Sequence, residues 1–217
     1  MSSEYFDKSK QLHYTAAMKG ICYIIGAGGE TALDFTAVSE DFVIAVDGGL
    51  KYLDKAGIKP SLIIGDFDSL GYIPGGENVV RLNPEKDEAD GYAAVNEGLK
   101  REYKKFKLYC MLGGRLSHSL ANLHLLSYIA RAGGNAELFG RDVTAVYCNS
   151  SLKANAGGYM SVIPVTEKAE VYISGCKYSG TFIMERSGSL GISNEPRENA
   201  EITVLSGEIF VMFEDKK

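Results

Sequence analysis

Two aspartates separated by one residue close an apolar run in Leu62-Ile63-Ile64-Gly65-Asp66-Phe67-Asp68-Ser69. In an extended segment, side chains two apart point the same way, so both carboxylates face one side. Like charges held that close repel unless a cation lies between them. Magnesium suits such hard oxygens and keeps water and substrate phosphates as its other ligands. The alternative is a local turn in which the acids bond their own backbone. A second apolar run, Val43-Ile44-Ala45-Val46, delivers Asp47-Gly48-Gly49. Ligands gather beyond the carboxyl ends of strands in open α/β sheets, and glycines there let a backbone approach a ligand. The same three residues would also suit a positive-φ turn with Asp47 capping the next helix.

A third acidic group, Glu85-Lys86-Asp87-Glu88-Ala89-Asp90, stands directly before a helical pattern carrying Tyr92, Val95 and Leu99. Acids in a first helical turn are stabilised by the backbone amides, which accounts for one or two of them. Asp87 and Asp90, three apart, share one side of that turn, and Lys86 beside them could serve a phosphate. The fourth group, from Leu112-Gly113-Gly114-Arg115 through Ser117-His118 to Asn122, reads as a strand end, a glycine pair and a helix start. Free amides at a helix N-terminus attract phosphate, and Arg115 adds a planar donor fork. His118 and Asn122 fall on one helical face, so His118 takes a contact role, while His13 and His124 take none. This loop lacks the Lys-Ser or Lys-Thr of a Walker A sequence.

The elements that must position these groups alternate along the chain. Short β-rich runs at 21–25, 42–46, 61–64, 79–82, 107–112 and 136–139 interleave with helical patterns at 50–56, 90–103 and 117–132. Such alternation predicts a mostly parallel sheet flanked by helices. In the third helix Leu116, Leu120, Leu123 and Ser127 share a face that Leu126 and Ile129 widen, and that face is expected against the sheet. Gly57 and Gly133-Gly134 supply helix stops. After about residue 142, Gly-punctuated strands at 145–147, 160–164, 169–174, 180–184, 200–205 and 208–213 predict a smaller C-terminal antiparallel β-sandwich. The division expected is an extension at 1–19, an α/β catalytic domain at 20–148 and a β-sandwich domain at 149–217, with the boundary inside 149–155.

A chain of 217 residues with 45% hydrophobic and 24% charged residues has the balance of a globular domain pair. Its formal charge of −5 argues against a nucleic-acid partner, which needs concentrated basic residues. An anionic ligand would instead arrive with a metal. Cys22, Cys110, Cys148 and Cys176 form no CxxC pair, which points away from zinc and toward reduced thiols in the cytoplasm. No apolar stretch approaches the roughly 20 residues of a membrane span.

In order and spacing, Asp47-Gly48-Gly49, Gly65-Asp66-Phe67-Asp68-Ser69, Lys86-Asp87-Glu88-Ala89-Asp90 and Gly113-Gly114-Arg115-Leu116-Ser117-His118 with Leu120-Ala121-Asn122 resemble the thiamine pyrophosphokinase family. A fifth stretch, Gly188-Ser189-Leu190-Gly191-Ile192-Ser193-Asn194-Glu195, is similar to the family's thiamine-recognition segment. The resemblance implies that thiamine's primary hydroxyl attacks the β-phosphorus of ATP, giving thiamine diphosphate and AMP. It implies magnesium held by Asp47, Asp66, Asp68 and Asp90, with Asp87 near them, and phosphates met by Arg115 and Lys86. Asp66, Asp68, Asp90 and Arg115 would then be the catalytic set, with Asp68 as proton acceptor. Gly26, Gly28, Gly29, Gly48, Gly49 and His118 would border the nucleotide. Ser193 and Asn194, with Asn122, would meet thiamine across a homodimer whose pocket lies between subunits. Two residues depart from the family pattern: Ala89 stands where Thr is usual, and Ser117 where Asp is usual. Those departures keep a non-catalytic nucleotide or thiamine sensor in play, and clustered aspartates keep a metal phosphoesterase in play.

Overall fold

A computed structural model describes residues 19–83 and 89–216; Lys86, Asp87 and most of the expected N-terminal extension lie outside that range. The apolar runs of the first half become β1 (Ile21–Ile25), β2 (Phe42–Val46), β3 (Leu62–Gly65), β4 (Val79–Arg81), β5 (Lys105–Tyr109) and β6 (Asn135–Phe139). All six run parallel, in the order β4-β3-β2-β1-β5-β6. The chain winds outward from β1 to β4 and returns to lay β5 on the other side of β1. A crevice therefore opens between the carboxyl ends of β1 and β5, where open α/β sheets take their ligands.

Side chains alternate across this sheet. Tyr23, Ile25, Val43, Ala45 and Ile63 pack on one face with Leu50 and Leu53 of helix α1 (Gly49–Ala56). Cys22, Ile24, Ile44, Val46 and Ile64 pack on the other with α2 (Asp90–Lys100) and α3 (Leu116–Arg131). A sheet buried on both faces needs the near-continuous apolar strands seen here. Where no helix covers the first face, Phe35 does so, stacking on Tyr23 at 3.8 Å between ring centroids.

Several boundaries differ from expectation for local reasons. β5 starts at Lys105 and stops at Tyr109, because Cys110 turns to φ 55°. α2 stops at Lys100, short of 103, because Glu102 adopts φ 63° and the Tyr103 amide donates to the Gly98 carbonyl. The glycine stops behave as read, with Gly57 at φ 67° and Gly133 at φ 76°. The packed face of α3 is corrected: Leu116 and Leu120 are 73% and 52% exposed, while Leu125, Leu126, Ser127 and Ile129 are buried. The first turns of α3 border the crevice at the strand ends, so only its later turns rest on the sheet.

The second half contributes β7 (Val143–Cys148), β8 (Ser151–Ala154), β9 (Tyr159–Pro164), β10 (Lys168–Cys176), β11 (Gly180–Glu185), β12 (Pro196–Ser206) and β13 (Ile209–Glu214). β7, β13 and β9 extend the first sheet antiparallel, making nine strands, and β11-β10-β12-β8 form a second sheet. Met160, Val162, Ile209 and Val211 pack against Val171, Ile173, Met184 and Ile202 to make the sandwich core. Fold class follows the reading of a parallel sheet with helices followed by an antiparallel sandwich. Strand β8, inside the stretch read as a boundary, was not anticipated. It pairs with β12. Among the described residues no helix is long and apolar enough to cross a membrane.

Candidate active site

A cavity of about 750 Å³ fills the crevice between β1 and β5. Three of the four expected metal ligands converge on it. Asp47 at the end of β2, Asp66 just past β3 and Asp90 opening α2 each offer an oxygen, and these oxygens lie within 4.8 Å of one another. Asp68 lines the same cavity but lies outside that group of three. Asp47 does not cap α1, whose N-cap is Gly48 without a side-chain bond. Instead Asp47 Oδ1 accepts the Phe67 amide at 2.9 Å, which ties the end of β2 to the turn after β3. The Asp68 amide donates to Asp66 Oδ1 at 3.1 Å, so the local turn considered from sequence also forms, and it coexists with the cluster.

Burial pushes the Asp47 carboxyl above the usual carboxylate range. The Phe67 amide opposes this, and the nearby charges of Asp66, Asp90 and Asp68 reinforce it. Carboxylates crowded this way favour a cation between them, and three hard oxygens suit magnesium.

The opposite wall is backbone. Gly26 and Gly28 line the cavity. Their close approach, though, is to protein: the Gly26 amide donates to the Tyr109 carbonyl at 2.9 Å and the Gly28 amide to the Cys110 carbonyl at 2.7 Å, as the Gly29 amide does to the Leu112 carbonyl at 2.6 Å. Gly29 borders an adjacent hollow of about 450 Å³ instead of the main cavity. Gly48 donates to Ser69 Oγ at 3.0 Å, and Gly49 serves packing, since a Cβ there would sit 2.0 Å from the Ile25 carbonyl oxygen. Neither Gly48 nor Gly49 lines the cavity. Arg115, the N-cap of α3, and His118 and Asn122 in its first turns do line it. Asn122 also donates to the Met111 carbonyl at 2.7 Å, bracing the loop after β5.

Ser193 and Asn194 are not brought to this cavity. Asn194 is 5% exposed, and its side chain both accepts from and donates to the Tyr178 backbone, at 3.0 and 2.8 Å. It therefore holds the turn that carries Ser193, which is exposed at φ 58° with its amide on Ser161 Oγ. Reading the sequence missed Ser69 and Ser119. The first holds Gly48, and the second accepts the Gly113 amide at 3.0 Å. Ser69 sat inside a recognised motif, whereas nothing in the spacing marks Ser119 as the brace of a glycine loop six residues earlier.

Residues 36–137 match the family described as "Thiamin pyrophosphokinase, catalytic domain", and residues 148–209 match "Thiamin pyrophosphokinase, vitamin B1 binding domain". The chain belongs to the thiamin pyrophosphokinase family. Solved structures share its fold. The thiamine pyrophosphokinase of Bacillus subtilis is 23% identical, with TM-score 0.78 over 91% of this chain and 100% of that one. That of Geobacillus thermodenitrificans is 25% identical, with TM-score 0.77 over 91% and 99%. Thiamin pyrophosphokinase from Candida albicans reaches TM-score 0.69 at 15% identity, over 90% of each chain. No curated protein matches the chain by sequence alone. The reaction class is thus transfer of a pyrophosphoryl group to thiamine.

Against the thiamin pyrophosphokinase pattern, Ala89 is the departure with a visible structural consequence. It is the N-cap of α2, already extended at φ −67° and ψ 149°, and makes no side-chain cap bond. Ala89→Thr should supply the missing acceptor and raise unfolding free energy by about 1 kcal/mol, read as an upward shift of the melting temperature. An unchanged melting temperature would show that this helix end does not limit stability. Ser117, in the exposed first turn of α3, does not line the cavity.

Proposed function

We propose that this enzyme transfers the β,γ-pyrophosphoryl group of ATP to the primary hydroxyl of thiamine in a magnesium-dependent reaction, giving thiamine diphosphate and AMP. The observation that carries this reading is the meeting of Asp47, Asp66 and Asp90 at the sheet's crevice. Magnesium, when bound, would offset phosphate charge. Asp47, Asp66 and Asp90 would hold it, with Asp87 in reserve. Arg115 at the start of α3, with Lys86, would meet the phosphate oxygens, while the Gly26–Gly28 wall and His118 border the nucleotide. Pyrophosphoryl transfer asks mainly for alignment and charge neutralisation, so no covalent enzyme intermediate is invoked. As the thiamine oxygen bonds to the β-phosphorus, the bond from that phosphorus to the AMP oxygen breaks, and the hydroxyl proton passes to a base. Asp68 suits that base because it lines the cavity without belonging to the carboxylate triad.

The working division is a catalytic domain at 20–148 and a thiamine-binding domain at 149–217, in line with the matched ranges. It is functional more than architectural, since β9 and β13 extend the catalytic sheet. Asn122 would contact substrate at the cavity, and Ser193, held by Asn194, would reach thiamine in the partner's cavity of a homodimer. The four buried, unpaired thiols suit a reducing cytoplasm.

Incubation with ATP, magnesium and thiamine, followed by chromatography, should yield AMP and thiamine diphosphate in equal amounts. Inorganic phosphate as sole product would indicate a hydrolase, and binding without AMP release a sensor. Sharing of the site is tested by mixing subunits: a Ser193→Arg chain, which sets a cation against thiamine's own, and an Asp66→Asn chain should each be inactive yet recover activity together. Failure of the mixture, with hybrid dimers verified, would confine the site to one subunit.

A further inference from the structure

Phe67, the residue between the two motif aspartates, has a conformation at odds with its size. It sits at φ 69°, in the left-handed region that bulky side chains rarely occupy, yet is 2% exposed. A turn that merely needed positive φ would be served by Gly or Asn. The ring instead belongs to the core cluster on the α1 face of the sheet, with Leu50, Leu53, Ile63 and Leu70. The backbone around it is strapped down. The Phe67 amide donates to Asp47 Oδ1, and its carbonyl accepts from Leu70 and Gly71, both at 3.2 Å. Ser69 Oγ takes the Gly48 amide and Lys51 Nζ reaches the Ser69 carbonyl at 3.1 Å.

We propose that Phe67 is a positioning residue for the carboxylate triad: its buried ring pins the left-handed turn, which aims one amide at Asp47 and sets Asp66 beside Asp47 and Asp90. The inference rests on reading those three carboxylates as a metal site. An uncharged, buried anchor is suited to the task, because it fixes the neighbouring acids without adding charge or competing as a ligand. Residues that orient metal ligands typically govern affinity without touching the ion.

The test is binding of Mn²⁺ to the nucleotide-free protein, followed by electron paramagnetic resonance, with folding checked by circular dichroism. Phe67→Gly and Phe67→Asn both permit the left-handed backbone and remove the anchor, and each should weaken Mn²⁺ binding about 10-fold or more. Phe67→Leu, which keeps an apolar anchor, should bind near the wild-type affinity. Leu53→Ala, a loss from the same core cluster away from the turn, should lower the melting temperature and leave Mn²⁺ affinity alone. Should Phe67→Gly fail to fold, Phe67→Asn decides. Wild-type affinity in a folded Gly or Asn variant overturns the positioning role while the metal site stands. Absence of Mn²⁺ binding by the wild type would instead overturn the metal reading, and this inference with it.

Discussion

Asp66→Asn should cut kcat/KM by on the order of a thousandfold, about 4 kcal/mol of transition-state stabilisation, while leaving a folded protein. The amide retains the oxygen that accepts the Asp68 backbone amide, so the turn survives. What disappears is one of three negative charges whose oxygens lie within 4.8 Å. Without metal, that loss relieves repulsion, and the variant should be more stable than the wild type by about 1 kcal/mol, the bulk-water limit for like charges so close. With saturating magnesium the order should invert, since a ligand stabilises only the protein that binds it. Thermal melts of both proteins, with and without magnesium, read this crossing directly. Equal magnesium responses would remove Asp66 from the site.

Asp68→Asn should act on a different quantity. If Asp68 takes the hydroxyl proton, kcat should fall by about 10²–10⁴, the usual contribution of a positioned general base. The magnesium concentration giving half-maximal rate should stay at the wild-type value, because Asp68 lies outside the converging carboxylates. The two substitutions, two residues apart, thus separate by measurement: Asp66→Asn moves the metal dependence and Asp68→Asn moves turnover alone. A shifted metal dependence in Asp68→Asn would return that residue to the ligand set, and retained turnover would strip it of the proton.

What the sequence made legible was local in origin. An apolar run ending in Asp-x-Asp, or in Asp-Gly-Gly, announces a strand and the acids at its carboxyl end, because the alternation of buried side chains and the break that follows lie within a few residues. The convergence of Asp47, Asp66 and Asp90 was readable for that reason, three strand or helix ends at one edge of a parallel sheet. Features set by distant partners were not. Asn194 looks like a ligand-facing amide, yet its side chain clasps the backbone of Tyr178, sixteen residues away. Helix α3 is apolar on more than one side, so periodicity could not tell the face carrying Leu116 and Leu120 from the one that packs. Strand β8 has four residues with polar Ser151 and Lys153 among them, and only its pairing with β12 makes it a strand.

The placement of β13 bears on how the polypeptide matures. It lies between β7 and β9, hydrogen-bonded to both, although those two precede it by some sixty and fifty residues in the chain. During synthesis both neighbours emerge from the ribosome well before it. Until it inserts, each leaves an unsatisfied flank open to mispairing. Completion of this sheet is therefore expected late in biogenesis, and a nascent chain stalled before residue 209 should be a ready target for chaperones.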